Sequence, residues 1–205
     1  MAELAPRVLR IPFSTNVERV ALAAGHKGVA IEWVDVDPSD RSPVQRLSGQ
    51  PLVPVLDVGG GEVVTDSMAI VAWLEARRPD PPLWPSDPAG RAEVDVFVDW
   101  FNLVWKVPPN RLADHPGAPT ETADAALLTG WLPRFDALLA GRDFLMGDEL
   151  GAADVCAFPF LRYGVAIDPA DTDPFHHVLA KHLPIAANHP RLEAWIDRVD
   201  ALPRA

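Results

Sequence analysis

Proline is concentrated in one stretch of this 205-residue chain, and that stretch limits how the rest can fold. Residues 78–90 have the sequence RPDPPLWPSDPAG and hold five of the 22 prolines. Proline lacks a backbone N–H and disfavours the helical conformation in the residue before it, so neither a helix nor a central strand continues through such a run. We therefore predict a stiff linker over 79–90 between two domains, 1–78 and 91–205.

The first domain has the pattern of a mixed α/β unit. Apolar runs bounded by turn residues predict four strands, at residues 7–11, 29–37, 53–56 and 62–64. The glycines at 59–61 form the turn between the last two strands. Helical spacing predicts one helix that Gly25 ends and a second that Pro79 ends, and the loop 38–50 has room for one helical turn.

Beyond the linker the strand signals fade and helical spacing dominates. The predicted helices lie at about 88–107, 120–140, 152–167 and 190–202, with a weak helical turn near 175–182. The fold class is therefore an α/β domain followed by an all-helical domain.

Charge and composition exclude several classes of partner. The chain has 18 Lys and Arg against 29 Asp and Glu, a formal net charge of −11, which repels nucleic acid and anionic membrane surfaces. The start, MAELAPRVLRIPF, lacks the pattern of a secretory signal, and no apolar run approaches the roughly 18 residues of a membrane span, so we expect a cytoplasmic protein. The bias of Arg over Lys favours a GC-rich bacterial source.

Neither cysteine nor histidine predicts a metal site. The single cysteine, Cys156, cannot form an internal disulfide and lies in an apolar segment typical of a buried residue. His176, His177 and His182 lack the spacing of metal ligands, and the glycine turn lacks the context of a phosphate-binding loop. We predict no metal.

Two sequence features predict a binding site in the first domain. Pro54 within an apolar strand is explained if the bond from Val53 is cis, which presents the Val53 backbone to a ligand at the sheet edge. Asp66 and Ser67 lie where a strand gives way to a helix, whose first N–H groups suit a carboxylate, while Asp66 suits an ammonium group. Together they are suited to the α-amino-acid end of a small molecule.

The segment PFSTNVERV, residues 12–20, has two interpretations. Thr15 and Glu18 have the spacing of a capping box, with Ser14 in the preceding turn. Alternatively, the Ser14 hydroxyl does chemistry at the start of the helix. The two roles are compatible.

These features together resemble the glutathione transferase superfamily, over nearly the whole chain. The matching elements are the serine after the first strand in STNVERV, the Val53-Pro54 pair, the Asp66-Ser67 helix start and the all-helical second part. The segment FLMGDELGAADVCAFPFL is similar to the family's folding motif, with Asp154 in the capping box and Gly151 at the cap position. The resemblance implies an α/β thioredoxin-like N-terminal domain and an all-α C-terminal domain.

The resemblance also implies that the protein is an enzyme, and it implies a role for each candidate site residue. Ser14 would stabilise the thiolate of glutathione, the co-substrate, for attack on an apolar electrophile, as in detoxification. The Val53 backbone, Asp66 and Ser67 would bind the peptide, and Phe13 and Trp105 would line the electrophile pocket between the domains. Members of the family are commonly homodimers.

One position departs from the family's pattern. Leu52 stands where relatives often have Lys or Gln for the glycyl carboxylate, and Arg41 is a substitute. The departure leaves open a different low-molecular-weight thiol, and equally a transferase-like module that binds a ligand or protein without catalysis. Isomerase, peroxidase and dehalogenase activities would use the same serine.

Overall fold

The computed structural model describes residues 5–186 and 188–205, which form two compact units. Unit 1 comprises the described residues up to Leu83 together with Leu202–Ala205, and unit 2 is Trp84–Ala201. The boundary at Leu83 falls inside the proline-rich stretch. The last four residues group with unit 1 because the backbone N–H of Ala205 donates to the Ala21 carbonyl at 3.1 Å, whereas the sequence placed them in the helical domain.

Unit 1 is a four-stranded sheet with three helices among the described residues. Its elements are β1 Arg7–Arg10, α1 Thr15–His26, β2 Glu32–Asp35, α2 Ser42–Ser48, β3 Val55–Gly59, β4 Glu62–Thr65 and α3 Ser67–Arg77. The strand order is β2-β1-β3-β4, with β1 parallel to β2 and antiparallel to β3, and β3 antiparallel to β4. This arrangement confirms the predicted α/β thioredoxin-like domain.

The two central strands of the sheet, β1 and β3, are buried on both faces. Val8 and Leu9 are consecutive in β1 and both buried, although consecutive side chains of a strand point to opposite faces. Val44 of α2 packs with Leu9 and Val55 on one face, while α1 and α3 pack together. Burial on both faces explains why β1 and β3 each have two apolar residues in succession, Val8-Leu9 and Val55-Leu56.

The predicted end of α1 at Gly25 is wrong. The helix continues to His26, and the chain turns at Gly28, whose φ of +61° suits glycine. Gly25 lies within the helix, where a Cβ would stand 2.2 Å from the carbonyl oxygen of Pro203. Glycine is needed here because the C-terminal segment crosses α1 in contact with its backbone.

Unit 2 is all-helical over its described residues, as predicted. Its elements are α4 Pro88–Trp100, a π-helical turn Phe101–Trp105, α5 Val107–Asp114, α6 Glu121–Leu138, α7 Ala152–Leu161, a 3-10 turn Arg162–Gly164, α8 Pro174–His182 and α9 Pro190–Asp200. Helix α5 was not predicted, and its sequence includes Pro108 and Pro109. They occupy its first turn, where a missing backbone N–H costs no hydrogen bond.

Asp154 holds together three segments of unit 2. Its side chain is fully buried at the third position of α7 and accepts hydrogen bonds from the backbone N–H groups of Leu145 and Gly151, both at 2.9 Å, and from Trp195 Nε1 at 2.8 Å. Gly151 is the N-cap, as predicted, and contributes no side chain, so Asp154 supplies the side-chain half of the capping box. Burial raises the pKa of Asp154 to about 6.

None of the described helices is long and apolar enough to span a membrane.

Candidate functional site

Three of the predicted site segments meet at one edge of the sheet. Strand β3 lies between β1 and β4, and Val55 pairs with both Leu9 of β1 and Thr65 of β4. Because β3 is antiparallel to both neighbours, the chain entering β3 and the chain leaving β1 and β4 lie at the same edge. That edge therefore gathers Ser14 after β1, the Val53-Pro54 pair before β3, and the residues that follow β4.

Ser14 is the N-cap of α1, but its hydroxyl does not cap the helix. Its backbone N–H donates to the Ile11 carbonyl at 3.3 Å and its carbonyl accepts from Glu18 N–H at 3.0 Å. The hydroxyl bonds to none of the residues that the structure describes. The capping box predicted with Thr15 as N-cap is wrong, because Thr15 is already the first residue of the helix.

This edge holds the strained non-glycine backbone of the described residues. Among the described non-glycine residues, only Phe13 and Asp66 have positive φ, at 64° and 72°. Such conformations cost about 1–3 kcal/mol each and cluster at functional sites. Phe13 comes directly before Ser14, and Asp66 directly before Ser67, so both strained residues set the start of a helix.

The Val53–Pro54 peptide bond is cis, as predicted. Val53 precedes β3 and its side chain is half-buried, packed beside the cluster that contains Leu9 and Val55. Its backbone N–H and C=O bond to no part of the chain that the structure describes. An extended ligand therefore finds one donor and one acceptor at Val53.

Asp66 and Ser67 have different positions at the start of α3: Asp66 is the N-cap and Ser67 is the first helical residue. Asp66 Oδ1 accepts from the N–H groups of Met68 at 2.8 Å and Ala69 at 3.1 Å, while Oδ2 accepts from no described residue. Asp66 is exposed, whereas Ser67 is only 3% exposed. One carboxylate oxygen of Asp66 is thus committed to the helix and the other is available for a ligand.

Sequence reasoning missed the residue that joins the two helix starts, Arg19. Its side chain is 1% exposed, and Nη1 donates to Asn16 Oδ1 at 3.3 Å and to Ser67 Oγ at 3.2 Å. The first turn of α1 and the first residue of α3 therefore contact the same nitrogen atom. The available signal was an arginine on the apolar face of α1, between Val17 and Val20.

Arg41 lies beside the loop that leads to Val53. It is exposed at the start of α2, and its guanidinium donates to the carbonyls of Pro38 at 3.4 Å and Pro51 at 3.5 Å. Leu52, which follows Pro51, is 64% exposed. A cation therefore stands near the apolar residue that departs from the family's pattern.

Trp105 does not line a pocket, contrary to the sequence prediction. It is completely buried in unit 2, stacked on Phe101 with ring centroids 4.4 Å apart and edge-on to Phe135 and Phe160. Apolar helical spacing is the same for a core residue and for a pocket residue, which is why the sequence did not separate them. Phe13, in contrast, is 45% exposed beside Ser14.

The remaining candidates for chemistry lie elsewhere. Cys156 is buried in α7, as expected from its apolar segment. Within residues 5–186 and 188–205, no three His, Cys, Asp or Glu side chains form a group that could hold a metal ion. His176 contacts the buried carboxylate of Asp171 at 2.8 Å. That carboxylate also accepts from the Tyr163 hydroxyl.

The groups at this edge are suited to a peptide-like molecule with a zwitterionic end. It offers an unengaged hydroxyl at Ser14, a backbone donor and acceptor at Val53, a carboxylate oxygen at Asp66 and the N-terminus of α3. Helix N-termini favour negative charge, which suits a carboxylate and, at α1, an anion near Ser14.

Comparison with known proteins matches this chain to two family models. The family model described as glutathione S-transferase, N-terminal domain matches residues 9–82, and the one for the C-terminal domain matches residues 99–203. Maleylpyruvate isomerase of Ralstonia sp is 38% identical over 163 residues, which are 71% of this chain and 76% of that protein.

Two further comparisons differ in coverage. The probable maleylacetoacetate isomerase 1 of Drosophila melanogaster is 31% identical over 65% of this chain, and this chain spans only 61% of that relative's length. A theta class glutathione S-transferase from the citrus canker pathogen Xanthomonas axonopodis pv. citri, solved with glutathione bound, has a TM-score of 0.70 and 25% identity, over 96% of this chain and 93% of that one. Because the two family models cover most of the chain in the order of its two units, this chain belongs to the glutathione S-transferase superfamily.

Proposed function

We propose that this chain is a glutathione-dependent enzyme that binds the thiol at the sheet edge of unit 1 and uses Ser14 to activate it for attack on an apolar electrophile. The observation that carries the proposal is the geometry of that edge. The Ser14 hydroxyl at the start of α1 is unengaged by the described residues, and Arg19 of the same helix donates to Ser67 at the start of α3. The relative solved with glutathione adds to it.

The chemistry asked of Ser14 is a hydrogen bond to sulfur. A free thiol has a pKa of about 8.5 and is mostly protonated at neutral pH, when it is a weak nucleophile. A hydrogen bond to a charged group contributes about 1.5–3 kcal/mol. The helix N-terminus adds about 0.3–1 kcal/mol, and together they lower the thiol pKa by about 1.3–2.9. The thiol proton leaves to solvent, and the thiolate then forms a bond to carbon by addition or by displacement of a leaving group.

The peptide part of glutathione would bind to the other polar groups of the sheet edge. The Val53 N–H and C=O pair with the cysteinyl backbone, as an added strand does. Asp66 Oδ2 accepts from the γ-glutamyl ammonium, and Ser67 at the N-terminus of α3 faces the γ-glutamyl carboxylate. Arg41, beside the loop that leads to Val53, would bind the glycyl carboxylate.

Binding and turnover measured separately test this function. Calorimetry with glutathione, and with cysteine and other small thiols as competitors, identifies the thiol. Turnover of an activated aryl chloride with the preferred thiol tests catalysis. We expect glutathione to bind best and to be consumed. Binding without turnover of any electrophile would favour the non-catalytic module, and preference for another thiol would change the co-substrate.

A second candidate reaction is thiol-dependent isomerisation of a cis double bond. It is favoured by the 38% identity to a maleylpyruvate isomerase. The same thiolate would add to the double bond, the resulting single bond would rotate, and expulsion of the thiolate would give the trans product. Isomerisation of maleylpyruvate without net consumption of thiol would distinguish this activity from conjugation. The homodimer and the cytoplasmic location stay predictions.

Asp66→Asn and Asp66→Ala will separate helix capping from ligand binding. Asn keeps the Oδ1 acceptor for Met68 and Ala69 and caps helices about as well as Asp, so we expect unchanged stability. The lost charge raises the KM for glutathione about 1.4- to fivefold, from roughly 0.2–1 kcal/mol for an exposed pair, with kcat unchanged. Ala raises KM similarly and also costs about 0.5–2 kcal/mol of stability. A fall in kcat at unchanged KM in the Asn variant would contradict the ammonium role.

Leu52→Lys will tighten glutathione binding about 1.4- to fivefold, because a new exposed ion pair with the glycyl carboxylate contributes roughly 0.2–1 kcal/mol. The affinity is measured by titration, with glutathione amidated at the glycyl carboxylate as the control ligand. Arg41→Ala is the companion variant. If Arg41 already binds this carboxylate, Arg41→Ala weakens binding and Leu52→Lys adds little. Tighter binding of the amide as well would contradict an ion pair.

A further inference from the structure

Arg19 is a buried cation with no place in the steps derived so far. It projects from α1 and is 1% exposed, yet it reaches Ser67, 48 residues further along the chain, at 3.2 Å. Burying a guanidinium is costly unless its donors are used. A buried guanidinium is therefore expected to position or bind another polar group through its donors.

The direction of the hydrogen bond fixes what Ser67 can do. A guanidinium only donates, so Ser67 Oγ must accept from Arg19. The hydroxyl proton of Ser67 then points elsewhere, and it bonds to none of the described residues. The backbone N–H of Ser67 is likewise unused within the described chain. Ser67 thus presents two donors with a buried positive charge behind them.

Two donors backed by a cation suit an anion, whereas the neighbouring Asp66 suits a cation. Asp66 Oδ2 is unengaged by the described residues, directly before Ser67. The pair therefore has the polarity of an α-amino acid, with ammonium toward Asp66 and carboxylate toward Ser67. Ser67 would lose this polarity if its hydroxyl were free to rotate and donate inward.

We propose that Arg19 is the positioning residue that orients the Ser67 hydroxyl as a donor to the α-carboxylate of the thiol's γ-glutamyl end. The proposal rests on the proposed function, since it takes the ligand to be a γ-glutamyl thiol. Arg19 acts through Ser67 and touches no ligand atom. Its bond to Asn16 at 3.3 Å fixes the guanidinium plane from the α1 side.

Two analogues of glutathione isolate the carboxylate from the ammonium. γ-Aminobutyryl-cysteinylglycine lacks the α-carboxylate, and glutaryl-cysteinylglycine lacks the α-ammonium. In Arg19→Met we expect about tenfold weaker binding of glutathione and of the glutaryl analogue, the lower end of what a hydrogen bond to a charged group contributes. Binding of the γ-aminobutyryl analogue stays unchanged.

Arg19→Lys keeps the charge and is the variant to use if Arg19→Met does not fold. A single ammonium does not reproduce the planar fork that spans Ser67 and Asn16, so the same selective loss is expected. In a Ser67→Ala background, Arg19→Lys should cause no further loss of carboxylate discrimination. Arg204→Met is the matched control, because Arg204 pairs with Glu18 of the same helix at 2.7 Å without contacting Ser67.

The outcomes distinguish the role of Arg19 from the proposed glutathione-dependent function. Equal weakening of all three thiols by the Arg19 variants, or additive losses in the Ser67→Ala background, would overturn the assignment of Arg19 and leave glutathione binding standing. Failure of the wild-type protein to bind glutathione would overturn the proposed function and this inference together. Selective loss with an unchanged Arg204→Met control supports it.

Discussion

Ser14→Ala will fold as well as the wild type and lose about 10–150-fold in kcat/KM for conjugation, the equivalent of roughly 1.5–3 kcal/mol for one hydrogen bond to a thiolate. The stability is expected to hold because the Ser14 hydroxyl makes no capping bond to the described chain. The backbone contacts of Ser14 to Ile11 and Glu18 survive in the variant. Loss of activity without loss of stability distinguishes a chemical role from a capping role.

The pH dependence of thiolate absorbance is the direct measurement. In Ser14→Ala the pKa of the bound thiol should rise toward its free value of about 8.5. Ser14→Thr keeps a hydroxyl at the same position and is the matched control, which should retain the lowered pKa. A destabilised Ser14→Ala protein with an unmoved thiol pKa would refute the proposed role of Ser14.

The sequence predicted the strands of unit 1 and most helices because burial imposes a spacing that apolar residues must follow. It placed Ser14, Val53 and Asp66 because each stands where an element begins or ends. It could not foresee contacts between residues distant along the chain. The sequence predicts a helix end at Gly25, whereas the structure requires glycine there because the Pro203 carbonyl lies against it.

The same limit explains what was missed or mistaken at the site. Arg19 finds its partner 48 positions away in α3, and no periodicity indicates that pairing. Trp105 has the spacing of both a core and a pocket residue, and only its stacking on Phe101 decides between them. Asp154 was identified from its local motif, but its bond to Trp195 needed the folded unit.

Asp154→Ala will cost about 3 kcal/mol or more of unfolding free energy, since it leaves three donors, two buried and one partly buried, without an acceptor and each unpaired group costs about 1–3 kcal/mol. The donors are the N–H groups of Leu145 and Gly151 and Nε1 of Trp195. Asp154→Asn is the matched variant. Its oxygen retains Leu145 and Trp195, and its amide faces Gly151 N–H, so we expect a smaller loss of about 1–3 kcal/mol.

The dependence of these losses on pH distinguishes the charge of Asp154 from its hydrogen bonds. Burial raises its pKa from 3.8 to about 6, so the folded protein holds the proton more tightly than the unfolded chain does. The stability gained by the protonated carboxyl is therefore complete below 3.8 and is lost as the pH rises through about 6. Denaturant unfolding of wild type and Asp154→Asn across this range should show the advantage of the wild type shrinking as the pH rises, because Asn does not titrate. An advantage that grows with pH would mean that the three donors outweigh the cost of burying the charge, and that the folded-state pKa lies below 3.8 instead.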